Sequence, residues 1–209
     1  MEAILGLYAQ PYDPHRPMVC FDEKMVQLLA EVRQPLPAAA GKTRRQDYEY
    51  RREGTRNLFM LVEPKAGQRA VLVTRRRGKR EFAQAMRYLV DVLYSDAEVI
   101  DVVMDNLNTH TYLALVETFG KAEADRLMQH LCFHSTPAHG SWLNMAEVEL
   151  SILSRQCLRR RFAHEWALAL ELIAWENARN HLHAKIHWRF TVEDARNVFA
   201  THYPSFSSS

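Results

Sequence analysis

Cysteine is scarce. Cys20, Cys132 and Cys157 are odd in number and far apart in a chain of 209 residues. That excludes a disulfide-stapled scaffold and fits a reducing cytoplasm, with all three thiols acting as small buried hydrophobes. No apolar run approaches the ~20 residues that a membrane helix needs, so no membrane partner is expected. The opening residues, Met1-Glu-Ala-Ile-Leu-Gly-Leu7, carry an acid and no basic region, unlike a secretory signal. No internal repeat is present, and the only biased stretch is the serine tail, Ser207 to Ser209. What remains is 47% apolar and 25% charged, an ordinary balance for one globular domain able to bury a core. The expected division is a lead-in over 1–17, a domain over 18–200 and a tail over 201–209.

The net charge of +2 hides clustering. Five of the seven residues from Thr74 to Arg80 are basic, Arg159 to Arg161 add three more, and residues 42–56 hold six basics against three acids. Any one cluster is equally well read as a solvated face. Three together point to a phosphate-backbone partner, with Arg75, Arg76, Arg77, Lys79, Arg80, Arg159, Arg160 and Arg161 as candidate contacts that position without reading sequence.

Along the chain, a short helical start leads into a segment with Pro11, Pro14 and Pro17. Met18 to Asp22 is an apolar strand ending on an acid, residues 23–33 suggest a short helix, and Pro35 to Gly41 breaks the chain. Tyr48 and Tyr50 are interleaved with arginines, either as a loop over nucleic acid or as exposed tyrosines on a strand. Asn57–Glu63 and Arg69–Thr74, joined by Pro64-Lys-Ala-Gly67, form a hairpin. Phe82, Met86, Leu89 and Leu93 predict an amphipathic helix over about 80–94. Val99–Met104 is apolar on nearly every position, as in a strand buried on both faces. A helix over 109–119 ends at Gly120, helical residues 121–129 follow, and Leu131–His134 is a short strand. Ser141 suits the N-cap of a helix from Trp142 to about Leu158. A long helix spans roughly 164–181, and Thr191-Val-Glu-Asp194 opens a final one with a capping-box variant. Hairpin strands combined with helical crossovers require an α/β fold, a mixed sheet with helices packed on its faces.

Three acids emerge from this order. Asp22 and Asp105 each end an apolar strand, where open α/β sheets place their ligands. A third, Glu147 or Glu149, lies on the helix after Trp142, and periodicity does not choose between them. Such carboxylates can share two Mg²⁺ or Mn²⁺ ions, which take oxygen ligands. The bland alternative is that the aspartates cap turns.

The segments Phe21-Asp-Glu23, Val103-Met-Asp-Asn-Leu-Asn-Thr-His110 and His134-Ser-Thr-Pro-Ala-His-Gly-Ser-Trp-Leu-Asn-Met-Ala-Glu147 resemble the three acidic motifs of DDE transposases. The likeness is to the bacterial insertion-sequence branch of the mariner superfamily and covers about residues 15–200. It implies a ribonuclease-H-like mixed five-stranded sheet with helices on both faces. It also implies that Asp22, Asp105 and Glu147 hold two Mg²⁺ ions, with Mn²⁺ as a substitute, to cut DNA and join transposon ends to target. The family's asparagine-to-glutamate spacing matches Asn144 and places the third role on Glu147. A homo-oligomer on DNA in a bacterial cytoplasm is further implied.

Two departures stand out. The family's N-terminal helix-turn-helix region normally precedes the first acid, which here arrives at position 22. The expectation is therefore a catalytic half: a truncated copy, a separate reading frame, or a product needing a helix-turn-helix partner. The interval from Asp105 to Glu147 is also longer than usual, with the extra length expected in 119–130.

Asn106, His110 and His139 are possible supports for the acids. Asn106 and Asn108 are expected to shape the turn after Asp105. His130, Cys132 and His134 share a strand face, but no paired Cys/His spacing supplies a closed zinc site. Trp142, Trp166, Trp175 and Trp188 are expected in the core, and Trp175 to Asn180 on an exposed helix face. The alternatives to a transposase domain are a simple ribonuclease-H-like nuclease or a silent, DNA-binding or dimerising remnant.

Overall fold

The computed structural model describes residues 1–33, 39–41, 43 and 48–200. Its central feature is a five-stranded sheet made of β1 (Met18–Glu31), β2 (Tyr50–Glu63), β3 (Gln68–Thr74), β4 (Ile100–Met104) and β5 (Leu131–Ser135). The spatial order is β3-β2-β1-β4-β5. The two hairpin pairs are antiparallel, and β1–β4 and β4–β5 are parallel.

Alternation along the strands splits the core in two. Met18, Cys20, Leu58, Met60 and Val103 face α1 (Glu2–Ala9), α5 (Met145–Gln156) and α6 (Glu165–His181), beside the short α7 (Val192–Val198). Val19, Phe21, Phe59, Val102 and Met104 face α2 (Lys79–Tyr88), α3 (Tyr112–Phe119) and α4 (Lys121–His130). The amphipathic pattern expected over 80–94 is α2 continued by a π-helical turn, Leu89–Leu93. The helix α1 buries Ile4, Leu5, Leu7 and Tyr8, so the start of the lead-in belongs to the core.

Several expectations need correction. Residues 23–31 are strand, not helix: Lys, Met, Gln, Leu and Glu favour helix locally, but pairing with β2 from Glu23↔Phe59 to Glu31↔Tyr50 overrides that preference. Asp22 is therefore inside β1 rather than at its end. The N-cap of α5 is Asn144, because Ser141 opens a separate 3₁₀ turn over Ser141–Leu143. Trp175 is buried, but Trp142 and Trp166 are 40% and 65% exposed. Trp142 instead stacks on Trp188 at 6.1 Å. Most of the break expected at 35–41, and the 201–209 tail, fall outside the described residues.

The face of α6 expected to be exposed docks on β3. Glu176 accepts from the Val71 amide at 2.8 Å, and Asn180 both accepts from the Arg69 amide at 2.9 Å and donates to its carbonyl at 2.8 Å. The β2–β3 turn is held beneath the end of this helix by Gly67, at φ +72°, where a Cβ would come within 2.5 Å of the His183 carbonyl oxygen. Gly67→Ala should therefore lower unfolding stability by more than about 1 kcal/mol. An unchanged denaturation midpoint would contradict this packing.

Candidate active site

The parallel register of β1 with β4 pairs Met18 with Asp101, Val19 with Val102 and Cys20 with Val103. Continued along both strands, it sets Asp22 level with Asp105. Cys20 and Val103 face the core that contains Leu143, Ala146 and Leu150. Two residues further on, Asp22 and Asp105 keep that face and so look towards α5. Thr136 fixes the second acid: its hydroxyl donates to Asp105 Oδ1 at 2.9 Å and its amide to the Met104 carbonyl at 2.9 Å.

Asn144 brings the third acid to this face. Its Oδ1 accepts from the Ala146 amide at 3.1 Å, capping α5, while its amide nitrogen donates to the Phe21 carbonyl at 2.8 Å. The first turn of α5, which carries the exposed Glu147, is thereby tied to the residue before Asp22. Burial is the largest influence on Asp22 and raises its pKa to about 6. The charges of Asp105, Glu147 and Glu23 add to the rise, against a hydrogen bond from the Glu23 amide. Glu149 is differently occupied. It is fully buried, Arg179 donates to both its oxygens at 2.5 and 3.0 Å, and Arg69 Nε lies 3.0 Å away. Geometry thus separates two acids that periodicity could not.

On the opposite face of β1, Glu23 Oε1 lies 2.9 Å from His110 Nε2, and His110 Nδ1 donates to the Asp105 carbonyl at 3.1 Å. The imidazole is buried, stacked on Phe82 at 4.7 Å and edge-on to Phe21 at 5.2 Å. The turn after Asp105 is closed by backbone bonds from Leu107 and His110 together with this ring. Asn106 and Asn108 are exposed instead. His139 is also exposed, in the left-handed region at φ +60°.

The family model for DDE superfamily endonucleases matches residues 17–168, most of the chain. This chain belongs to that superfamily. Three solved structures of Mos1 share its fold: the mariner paired end complex with Mn (18% identity, TM-score 0.56), the strand transfer complex (16%, 0.59) and the transposase paired-end complex with left transposon end (16%, 0.57). Each alignment covers 88% of this chain but only 53–54% of the Mos1 chain, so this DDE protein spans about half the length of the structures it matches. The fold is ribonuclease-H-like. Comparison with curated proteins gave no match.

In this DDE chain the donor set suits a hard divalent cation, since carboxylate oxygens are its preferred ligands. A cation also relieves what ionised Asp22 suffers: lost water and repulsion from its neighbours. The acids are not drawn tightly together. Among the described residues, the group whose ligand atoms all lie within 4.8 Å of one another is Asp101, Cys132 and His134. Arg16 Nε at 2.6 Å and His134 Nε2 at 2.7 Å already hold the Asp101 oxygens, and Cys132 is half-buried rather than buried.

The basic clusters divide. Arg75 to Arg77, Lys79 and Arg80 line an open groove of about 600 Å³. Lys79 and Arg80 also border a second groove of about 520 Å³ with Arg87, which no run of basic residues in the sequence marked. Lys79 also donates to Glu117 at 2.7 Å. In the second cluster Arg160 pairs with Glu171, and Arg161 bonds Glu31 at 2.9 Å and covers the Tyr50 ring, tying the α5–α6 connection to the β1–β2 hairpin. Arg159 is exposed. Sequence reading missed the roles of Glu23, Thr136 and Arg87; Glu23 was visible only as the residue after an acid.

Because the folded pKa of Asp22 lies above its unfolded value, its protonation favours folding: the contribution is complete below about 4 and lost as pH rises through about 6. Metal-free protein carrying Asp22→Asn should therefore melt higher than the parent at pH 7.5 and nearly equally at pH 4. Mg²⁺ or Mn²⁺ should stabilise the parent chiefly above pH 6. Melting curves with chelator and with metal check both, and a pH-independent difference would refute them. For the buried acid, Glu149→Gln should cost about 3–5 kcal/mol by leaving Arg69 and Arg179 uncompensated. Glu147→Gln should barely change stability; equal losses in chemical denaturation would overturn this contrast.

Proposed function

We propose that this chain is the catalytic domain of a transposase, cutting DNA strands and joining transposon ends to target DNA with divalent metal ions. The observation that supports this most is the shared face of Asp22 and Asp105 on adjacent parallel strands, with Glu147 near enough to repel Asp22. In this reading Asp22, Asp105 and Glu147 hold two Mg²⁺ ions, with Mn²⁺ as a substitute. Bound there, the ions supply the positive charge that in-line displacement at a phosphodiester needs on its entering and leaving oxygens.

The protein's own part is positioning. Asn144 sets the approach of α5, Thr136 fixes one Asp105 oxygen, and His110 braces the Asp105 backbone. The arginine-rich loop before α2 binds phosphates. The DNA substrates are transposon ends and target, handled by an assembly of several copies, with a helix-turn-helix partner as the reader of the terminal repeats. Mos1 appears in its structures with transposon ends and in a strand transfer complex, which favours joining over simple nuclease action.

Asp105→Asn should abolish Mg²⁺- or Mn²⁺-dependent cleavage and strand transfer of precut ends while leaving the circular dichroism spectrum and melting temperature near those of the parent. Retained cleavage would remove Asp105 from the mechanism. Cleavage without joining would identify a nuclease, and DNA binding without either activity a silent remnant.

A further inference from the structure

The carboxylate of Glu23 is almost wholly buried, with its side chain only 4% exposed, yet it lies on the opposite face of β1 from Asp22. One oxygen, Oε1, is taken by His110. The other, Oε2, is buried without a hydrogen bond. An unsatisfied buried carboxylate oxygen is costly unless a cation faces it. The cation that faces it is Arg77, whose Nε is 3.4 Å away and whose side chain is 57% exposed. Its neighbours differ: Arg76 is exposed in the groove, and Arg75 leans 3.6 Å from Glu165 on α6.

The hydrogen bonds of His110 add direction. A carbonyl can only accept, so Nδ1 must donate to Asp105 O. Nε2 is then the ring atom that meets Glu23 Oε1, at 2.9 Å. Ring stacking on Phe82 and Phe21 holds the imidazole in place. The connected series is Arg77, Glu23, His110, Asp105, while the backbone of Glu23 is itself bonded to Asp22 Oδ1 at 2.7 Å. One buried glutamate therefore touches the residues that support both aspartates and an arginine of the loop before α2.

We propose that Arg77 contacts the phosphate undergoing reaction, and that Glu23 and His110 are positioning residues that hold this guanidinium and the Asp105 backbone in one fixed relation. Arg75, Arg76, Lys79 and Arg80 serve the flanking phosphates. The proposal rests on the assignment of Asp22, Asp105 and Glu147 as the acids. A guanidinium at the reacting phosphate acts on charge that grows in the transition state. A guanidinium on a flanking phosphate adds only uniform binding.

The test uses the full chain, Mn²⁺ and a supercoiled plasmid, with nicking rate at saturating DNA and DNA affinity measured separately. Arg77→Gln should lower the maximal rate on the order of a hundredfold with little loss of affinity. Arg76→Gln should weaken affinity and reduce its salt dependence, with a loss of maximal rate far smaller than that of Arg77→Gln. Glu23→Gln should fall to about the Arg77→Gln rate, and the double variant should be no slower than either single one, because the two residues act as a unit. Similar behaviour of Arg77→Gln and Arg76→Gln, with loss of affinity alone, would overturn the proposal. So would additive losses in the double variant. If Glu23→Gln does not fold, the comparison of Arg77 with Arg76 decides alone, since both are exposed. Failure of the underlying acid assignment shows separately, as an Asp105→Asn protein that still nicks.

Discussion

The arrangement of this site hangs on one side chain. Asn144 is fully buried and satisfies two backbones at once, the first turn of α5 through its oxygen and β1 through its nitrogen. Without it a helix would have a weaker start and a strand carbonyl would lack its partner, each deep inside the protein where an unmade hydrogen bond costs about 1–3 kcal/mol. An aspartate could cap the helix equally well, but it has no N–H to donate to Phe21. The carboxamide of Asn144 bridges an acceptor and a donor in this way, and the bridge ties the first turn of α5, which carries Glu147, to the residue before Asp22.

That face works against folding. Asp22 is drawn partly out of water among three other acids, and its raised pKa records the strain. The stability that tolerates it lies elsewhere: in two apolar cores on either side of the sheet, and in the buried Glu149–Arg179–Arg69 cluster behind α5. Glu147 and Glu149 are two residues apart on one helix and have opposite tasks. One faces solvent and the acids, and the other neutralises two arginines in the interior.

Much of this was legible in the sequence. The five strands, their mixed connection and the helices on both faces follow from apolar runs of strand length alternating with helical periodicity. Asp22 and Asp105 stand out in the sequence as acids closing apolar strands, and the preference for Glu147 comes from the family resemblance around Asn144. What escaped notice depended on contacts between distant segments. The run after Asp22 has helix-forming residues, and only the partner strand β2 makes it extended. Polar residues from Glu176 to Asn180 look solvated until β3 is placed beneath them. Glu23 has no local signature, because its partners, His110 and Arg77, are many residues away.

The docking of α6 has a wider effect. A border strand normally offers a ladder of free amides and carbonyls to any passing chain. On β3, Asn180 occupies both groups of Arg69 and Glu176 takes the amide of Val71. An incoming segment meets side chains at Arg69 and Val71 where it would need main-chain partners, so that stretch of the margin is closed to pairing with another strand.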